Sequence, residues 1–135
     1  MQAVFLGSVE YNLATIIQEQ FFYGKLGAEK EKISEPKDTL IFLEHPSVYT
    51  YGKRVKQPTD LFRDLQWVQN QIKEHGVRLT PSTRGGLISF HGPGQLVCYP
   101  IISIGGMSRQ EYLRKLEKVV IGLLAEFNLS SRAEE

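Results

Sequence analysis

The sequence predicts an α+β domain with a mixed sheet, and three observations carry that reading. Short β-rich apolar runs come in pairs separated by single stretches of helical periodicity, so strands and helices interleave. Near the C-terminus, apolar residues recur with a strong helical period. Between these lies a segment, residues 84–100, in which four glycines sit between apolar runs. A chain of 135 residues suits one domain, so residues 1–135 are read as a single unit able to bury about two thirds of its unfolded surface. A net charge of +1 argues against a nucleic-acid partner, while leaving room for a local basic patch. One cysteine excludes an internal disulfide framework and suits a reducing compartment. No apolar run approaches membrane-spanning length, which argues against a membrane partner. The N-terminus carries no evident secretory or transit signal, since it opens on an apolar strand and its first arginine is Arg54.

In order, Ala3-Val4-Phe5-Leu6 reads as the first strand. Leu13, Ile16, Ile17, Gln20 and Phe21 recur at helical spacing and predict an amphipathic helix from Tyr11 to about Lys25. Residues 27–37 are charged, contain Pro36 and read as an exposed connection. Thr39-Leu40-Ile41-Phe42-Leu43 is an unbroken apolar run, hence a buried strand. Glu44-His45-Pro46 ends it, because the residue before a proline is pushed out of the α region. His45 is either a turn cap or a ligand or acid–base group. Residues 48–51 form a second short strand, followed by a basic loop over residues 52–59 with Lys53, Arg54 and Lys56. Leu61, Leu65, Val68 and Ile72 make one stripe of a helix over residues 60–75, with Asp60 as cap and Gly76 as stop. Residues 77–79 return as a strand. Gly105-Gly106 breaks the chain, and Ser108 with Glu111 fits a capping box. Tyr112, Leu116, Val119, Val120, Leu123, Leu124 and Phe127 then give a helix over residues 108–127 its apolar face.

The central segment opens on Arg84-Gly85-Gly86, where the backbone is free to take positive φ and to admit another group closely. Residues 87–91 read as a strand with Ile88 and Phe90 on one face and Ser89 and His91 on the other. Gly92-Pro93-Gly94-Gln95 has the residues of a type II turn, and residues 96–102 follow as an apolar strand, so the segment is expected to form a hairpin. Neither a Walker loop nor a dinucleotide fingerprint is present. Cys98, inside the apolar run, is expected to be a buried and inert thiol.

Arg84-Gly85-Gly86, Ser89-Phe90-His91-Gly92-Pro93-Gly94-Gln95-Leu96-Val97 and Tyr99-Pro100 closely resemble the signature of the octanoyltransferase (lipoate protein ligase B) family. Glu44-His45-Pro46 with Val48-Tyr49-Thr50-Tyr51-Gly52 resembles a second stretch of that family, and Tyr11 with Gln18 resembles its first helix. Ser89, Phe90 and Cys98 depart from the commoner Thr, Tyr and Gly; Ser keeps the hydroxyl and Phe the ring.

The resemblance implies the biotinyl/lipoyl protein ligase–transferase fold, no cofactor and no metal. It implies transfer of octanoyl from octanoyl-acyl carrier protein to a lysine of lipoyl domains, those of 2-oxoacid dehydrogenases and of the glycine cleavage H protein. It places Arg84, Gly85, Gly86, Leu87, Ile88, Ser89, Phe90 and His91 along the acyl group. Ser89 and His91 would hydrogen-bond the thioester carbonyl, and Arg84 would orient the loop or the carbonyl, or else make a structural ion pair. The family's nucleophilic cysteine and its activating lysine are expected C-terminal to the matched part. The chain is therefore expected to be a fragment, isoform or truncated form that is inactive alone. The basic loop is either solvated surface or a contact for the acidic carrier. A lipoate or biotin ligase of the same superfamily, and a non-catalytic acyl-binding fragment, are the alternatives. The compartment expected is the mitochondrion for a eukaryotic member and the cytoplasm for a bacterial one.

Overall fold

The computed structural model describes residues 1–31, 37–56 and 66–134, and divides into two compact units, Met1–Ile102 and Ser103–Glu135. In the first unit the elements run β1 (Gln2–Ser8), α1 (Tyr11–Glu31), β2 (Thr39–Glu44), β3 (Val48–Tyr51), α2 (Gln66–His75), β4 (Arg78–Pro81), β5 (Ile88–His91) and β6 (Val97–Ile101). The second unit holds α3 (Arg109–Glu126). Among the described residues no helix is long and apolar enough to cross a membrane.

Two three-stranded mixed sheets result. In the first, ordered β1-β2-β6, β1 runs parallel to β2 and β6 antiparallel to it. In the second, ordered β4-β3-β5, β4 runs parallel to β3 and β5 antiparallel to it. The α+β reading with mixed sheets therefore holds. The expected hairpin does not. Gly92 and Gln95 close the expected turn, with Gln95 N–H donating to Gly92 O at 3.1 Å and Gly94 at φ +82°. Yet β5 pairs with β3 and β6 with β2, so the turn carries the chain from one sheet to the other. A type II turn splays its flanking strands, whereas paired hairpin strands favour the mirror-image turns.

The α1 helix starts on Glu10, whose carboxylate accepts from the backbone N–H of Asn12 at 2.8 Å and Leu13 at 3.2 Å. It extends six residues past the expected end at Lys25, to Glu31, so residues 27–31 are its last turns and not a connection. Glycine within a helix costs roughly 1 kcal/mol relative to alanine, and Gly24 and Gly27 both lie within this one. Lys25 Nζ lies 2.7 Å from Asp38, with only 10% of the lysine side chain exposed. The inward face also differs in phase from the expected one. Ala14, Ile17 and Phe21 pack with Ile41 and Leu43, joined by Val97, Tyr99 and Ile101, while Leu13 and Ile16 are exposed. In β2, Thr39, Ile41 and Leu43 are buried and the alternate residues only partly so.

Val68 of α2 is fully buried, and Trp67 meets Tyr49 edge-on at 6.0 Å. The expected cap Asp60, with Leu61 and Leu65, lies outside the described residues. Strand β4 begins one residue later than expected and runs on to Pro81.

In the second unit, Ser108 accepts from Glu111 N–H at 3.2 Å while the Glu111 carboxylate accepts from Ser108 N–H at 2.7 Å, completing the capping box. The other end closes as a Schellman motif: Asn128 takes φ 58°, its N–H donates to Ala125 O, and Leu129 N–H donates to Leu124 O. Leu113, Leu116, Val120 and Leu124 line an apolar groove of about 360 Å³ against residues 131–133.

Gly94→Val is expected to lower stability by about 1–2 kcal/mol, the cost of a left-handed residue carrying a Cβ. Gln95→Ala should cost less, and urea unfolding midpoints of the two variants measure the difference.

Candidate functional site

Both passages between the sheets lie side by side. Strand β2 leads into β3 through His45-Pro46-Ser47, and β5 leads into β6 through the turn at residues 92–95. The Glu44 carboxylate joins them by accepting from Gly94 N–H at 2.9 Å.

His45 is completely buried at this corner. Its Nδ1 lies 2.7 Å from Val9 O, a pure acceptor, so Nδ1 carries the proton. Nε2 is then the acceptor and receives a hydrogen bond from the Tyr99 hydroxyl at 2.9 Å. Burial holds His45 below the ordinary imidazole pKa, partly opposed by the Val9 hydrogen bond, with nearby His91 adding to the depression and Glu10 opposing it. Tyr99 is pushed up to about 12, mainly by burial, so its phenol keeps the proton that it donates. His45 thus is a neutral two-ended strut from β1 to β6, and neither end can be reversed.

Two aromatic rings close over it. Tyr11 lies 5.3 Å from His45 and stacks at 6.1 Å and 18° on His91, while the His91 ring meets His45 edge-on at 5.7 Å. His91 Nδ1 bonds Gln95 Oε1 at 2.8 Å, leaving Nε2 without a partner among the described residues. The Tyr11 hydroxyl donates to Ser82 Oγ at 2.9 Å, and Ser82 Oγ accepts from Arg84 N–H at 3.3 Å, which ties α1 to the double-glycine loop.

Arg84 makes no ion pair among the described residues. Its guanidinium instead donates to Thr50 O at 2.8 Å, Thr50 Oγ1 at 3.0 Å and Gly85 O at 3.0 Å, while its buried Nε is unpaired. Gly52 is packed beneath this loop. A Cβ there would stand 2.6–2.8 Å from the carbonyl oxygens of Arg84, Gly85 and Gly86, so only glycine fits. Lys53 N–H donates to Arg84 O at 3.0 Å and Gly52 N–H to Leu87 O at 2.7 Å, binding the basic loop to the glycine loop.

Strand alternation sorts the expected site residues. The register sets Ser89 opposite Thr50 and His91 opposite Val48, while Phe90 faces Tyr49 and Ile88 faces Tyr51. Ser89 and His91 therefore share the face that carries Thr50, and Arg84 joins it through its bond to Thr50 Oγ1. Phe90 packs against Tyr49 at 5.1 Å on the opposite face, and Leu87 is exposed. Thr50, Ser82 and Tyr99 join the cluster without having been singled out for it in the sequence. No local pattern could have found Tyr99, 54 residues from His45.

Cys98 departs from expectation. It is exposed on β6, opposite Phe42, and partial burial nonetheless pushes its thiol pKa up. The alternation that turns Tyr99 inward turns Cys98 outward.

The sequence model of the lipoyl protein ligase A/B catalytic domain matches residues 17–135. The chain belongs to that family. Among curated relatives, an octanoyltransferase of Geobacter metallireducens is 37% identical over 96% of this chain and 53% of its own length. An octanoyltransferase of Rubrobacter xylanophilus is 42% identical over 76% of this chain and 45% of its own. The mitochondrial octanoyl-[acyl-carrier-protein]:protein N-octanoyltransferase LIPT2 of Danio rerio is 35% identical over 97% of this chain and 55% of its own. The chain thus spans about half the length of the curated relatives it matches. In the fold, protein Ta0514 of T. acidophilum superposes with a TM-score of 0.69 at 19% identity, covering 99% of this chain and 50% of that one. A lipoate-protein ligase A bound with ATP gives 0.65 at 20% identity, covering 100% and 51%.

The neutral His45 strut makes stability pH-dependent. The unfolded imidazole takes a proton as pH falls through about 6.5, before the folded one does. This contribution is full above that pH, shrinks on acidification, and stops changing below the folded pKa. His45→Gln is expected to be less stable at neutral pH by about 1–3 kcal/mol for each orphaned partner. Its deficit relative to the parent should narrow as pH drops below about 6.5, which thermal melts across pH would measure.

Proposed function

We propose that this chain carries the acyl-binding part of an octanoyltransferase, which moves octanoyl from octanoyl-acyl carrier protein to a lysine of lipoyl domains. Those of 2-oxoacid dehydrogenases and of the glycine cleavage H protein are the acceptors. The observation that carries the reading is the polar face made by Arg84, Ser89 and His91 beside the double-glycine loop, in a chain whose curated relatives are octanoyltransferases. The family match runs across the division at residues 102 and 103, which supports treating residues 1–135 as part of one catalytic domain. The compartment follows the source: the mitochondrion in a eukaryote, the cytoplasm in a bacterium.

In this reading Arg84 acts on the loop, because its terminal nitrogens bond Thr50 and Gly85. It sets the carbonyls of residues 84–86 over Gly52, so that the acyl group lies along Gly85, Gly86 and Leu87. Ile88 and Phe90 support the strand from its other face. Ser89 Oγ–H donates to the thioester carbonyl, and so does His91 Nε2–H once the Gln95 side chain turns its NH2 in place of Oε1 toward Nδ1, which makes Nδ1 the acceptor and orients the ring. Polarising that carbonyl favours attack by a thiolate, as in any two-step acyl exchange. The family's cysteine and lysine would supply that nucleophile. Cys98 does not, since its thiol is pushed toward the protonated, unreactive form.

Titrating the chain with octanoyl-pantetheine tests the site. His91→Ala should weaken binding by about five- to tenfold, the worth of one hydrogen bond to the carbonyl. Octanoate binding that requires ATP would instead favour a ligase, and equal binding by the variant would remove His91 from the site.

Cys98→Ser should leave this binding unchanged, and neither protein should gain an octanoyl adduct by intact mass after exposure to the octanoyl carrier. An adduct on the parent that the serine variant loses would make Cys98 the acyl acceptor.

A further inference from the structure

Charge is unevenly distributed along this nearly neutral chain. No Asp or Glu occurs between Glu44 and Asp60, nor between Glu74 and Glu111. Every strand of the second sheet lies within those two stretches. They contain Lys53, Arg54, Lys56, Arg78, Arg84 and Arg109. Arg78 is paired with Glu10 at 3.2 Å, and Arg84 is held by Thr50 and Gly85. Lys53, Arg54 and Lys56 are different: all three are exposed, and none makes an ion pair among the described residues. They stand on a backbone that is not free to drift, because Gly52 and Lys53 donate to Leu87 and Arg84 of the glycine loop and Val55 N–H closes a turn on Gly52 O at 3.1 Å.

We propose that Lys53, Arg54 and Lys56 form the docking surface for an acidic carrier protein, whose acyl arm then enters beside Gly52 along Arg84–Leu87. This deepens the reading of the chain as an acyl-transfer domain and rests on it. Like-signed charges grouped on a rim steer an acidic partner and set its orientation, with a strong dependence on salt. The backbone bonds between the two loops convert docking at one into delivery at the other. The basic residues belong to the loop after β3, whereas the acyl face is carried by residues 84–91. Carrier recognition and acyl recognition are therefore separable.

The test compares the parent chain with a Lys53→Glu/Arg54→Glu/Lys56→Glu variant and with the matching triple-glutamine variant, each checked by thermal melting. Affinity is measured for an acidic acyl carrier protein bearing octanoyl, for octanoyl-pantetheine alone, and for a short DNA duplex. Charge reversal is expected to weaken carrier binding by about tenfold or more, with the glutamine variant intermediate. Added salt should weaken the parent's carrier binding and leave the reversed variant's nearly level. Octanoyl-pantetheine should bind all three proteins alike. Carrier binding that survives charge reversal, or that is absent from the parent, would overturn the docking surface. DNA bound as tightly as the carrier would overturn the assignment to an acidic protein. If the carrier binds in this charge-dependent way while octanoyl-pantetheine binds none of the three, the docking surface stands and the acyl-site reading falls.

Discussion

An imidazole sealed from water must keep both ring nitrogens bonded and has strong reason to stay neutral. His45 meets both conditions, and much of the first unit is arranged around it. Val9 O dictates which nitrogen carries the proton, and the Tyr99 phenol can only donate to the other. Because Val9 follows β1, His45 follows β2 and Tyr99 lies in β6, one side chain ties the three strands of the first sheet at the end where the chain leaves for the second. Leaving either partner unbonded in this interior costs more than the bond contributes when made. The strut therefore selects against arrangements that separate these strands.

From that corner the site is built outward. The ring of His91 rests against His45 and Tyr11, and Gln95 and Ser82 supply the lateral hydrogen bonds. Beyond them the glycine loop is shaped by two opposite devices. Arg84 draws carbonyl groups inward with its guanidinium, and Gly52 makes room for three of them by having no side chain. An attractive clamp above and a steric vacancy below define one loop shape. Such preorganisation serves acyl chemistry, which gains most when donors stand in place before charge develops on the carbonyl.

The two faces of the second sheet divide the work. Tyr49 is buried on one side with the exposed rings of Phe90 and Trp67 against it, and Thr50, Ser89, His91 and Arg84 collect on the other. The stretches of sequence that supply the second sheet contain no Asp or Glu, and the basic loop follows β3 directly. A site without carboxylates of its own strands and followed by a basic loop suits an uncharged acyl group on an acidic carrier. Segregating the charges in this way keeps the chain as a whole near neutrality.

Elements governed by neighbours along the chain are legible in the sequence. The capping box at Ser108 and Glu111, the buried run of β2, the stop at Gly76 and the turn with its left-handed Gly94 all follow from local stereochemistry. So does the grouping of Ser89 with His91, since strand alternation dictates which residues share a face, whereas Arg84 joins them through Thr50, 34 residues away. Strand partnership is not legible there. The turn at residues 92–95 has the same local geometry whether its flanking strands pair with each other or with β3 and β2. Only the long-range registers place β5 and β6 in different sheets. The exposure of Cys98, the inward phase of α1 and the meeting of His45 with Tyr99 depend on that partnership in the same way. Short-range preferences act between residues a few positions apart, whereas burial depends on what distant segments bring to the same place. Local stereochemistry therefore specifies the elements and the residues of the acyl loop, while long-range packing specifies the sheet pairing and the buried corner on which that loop stands.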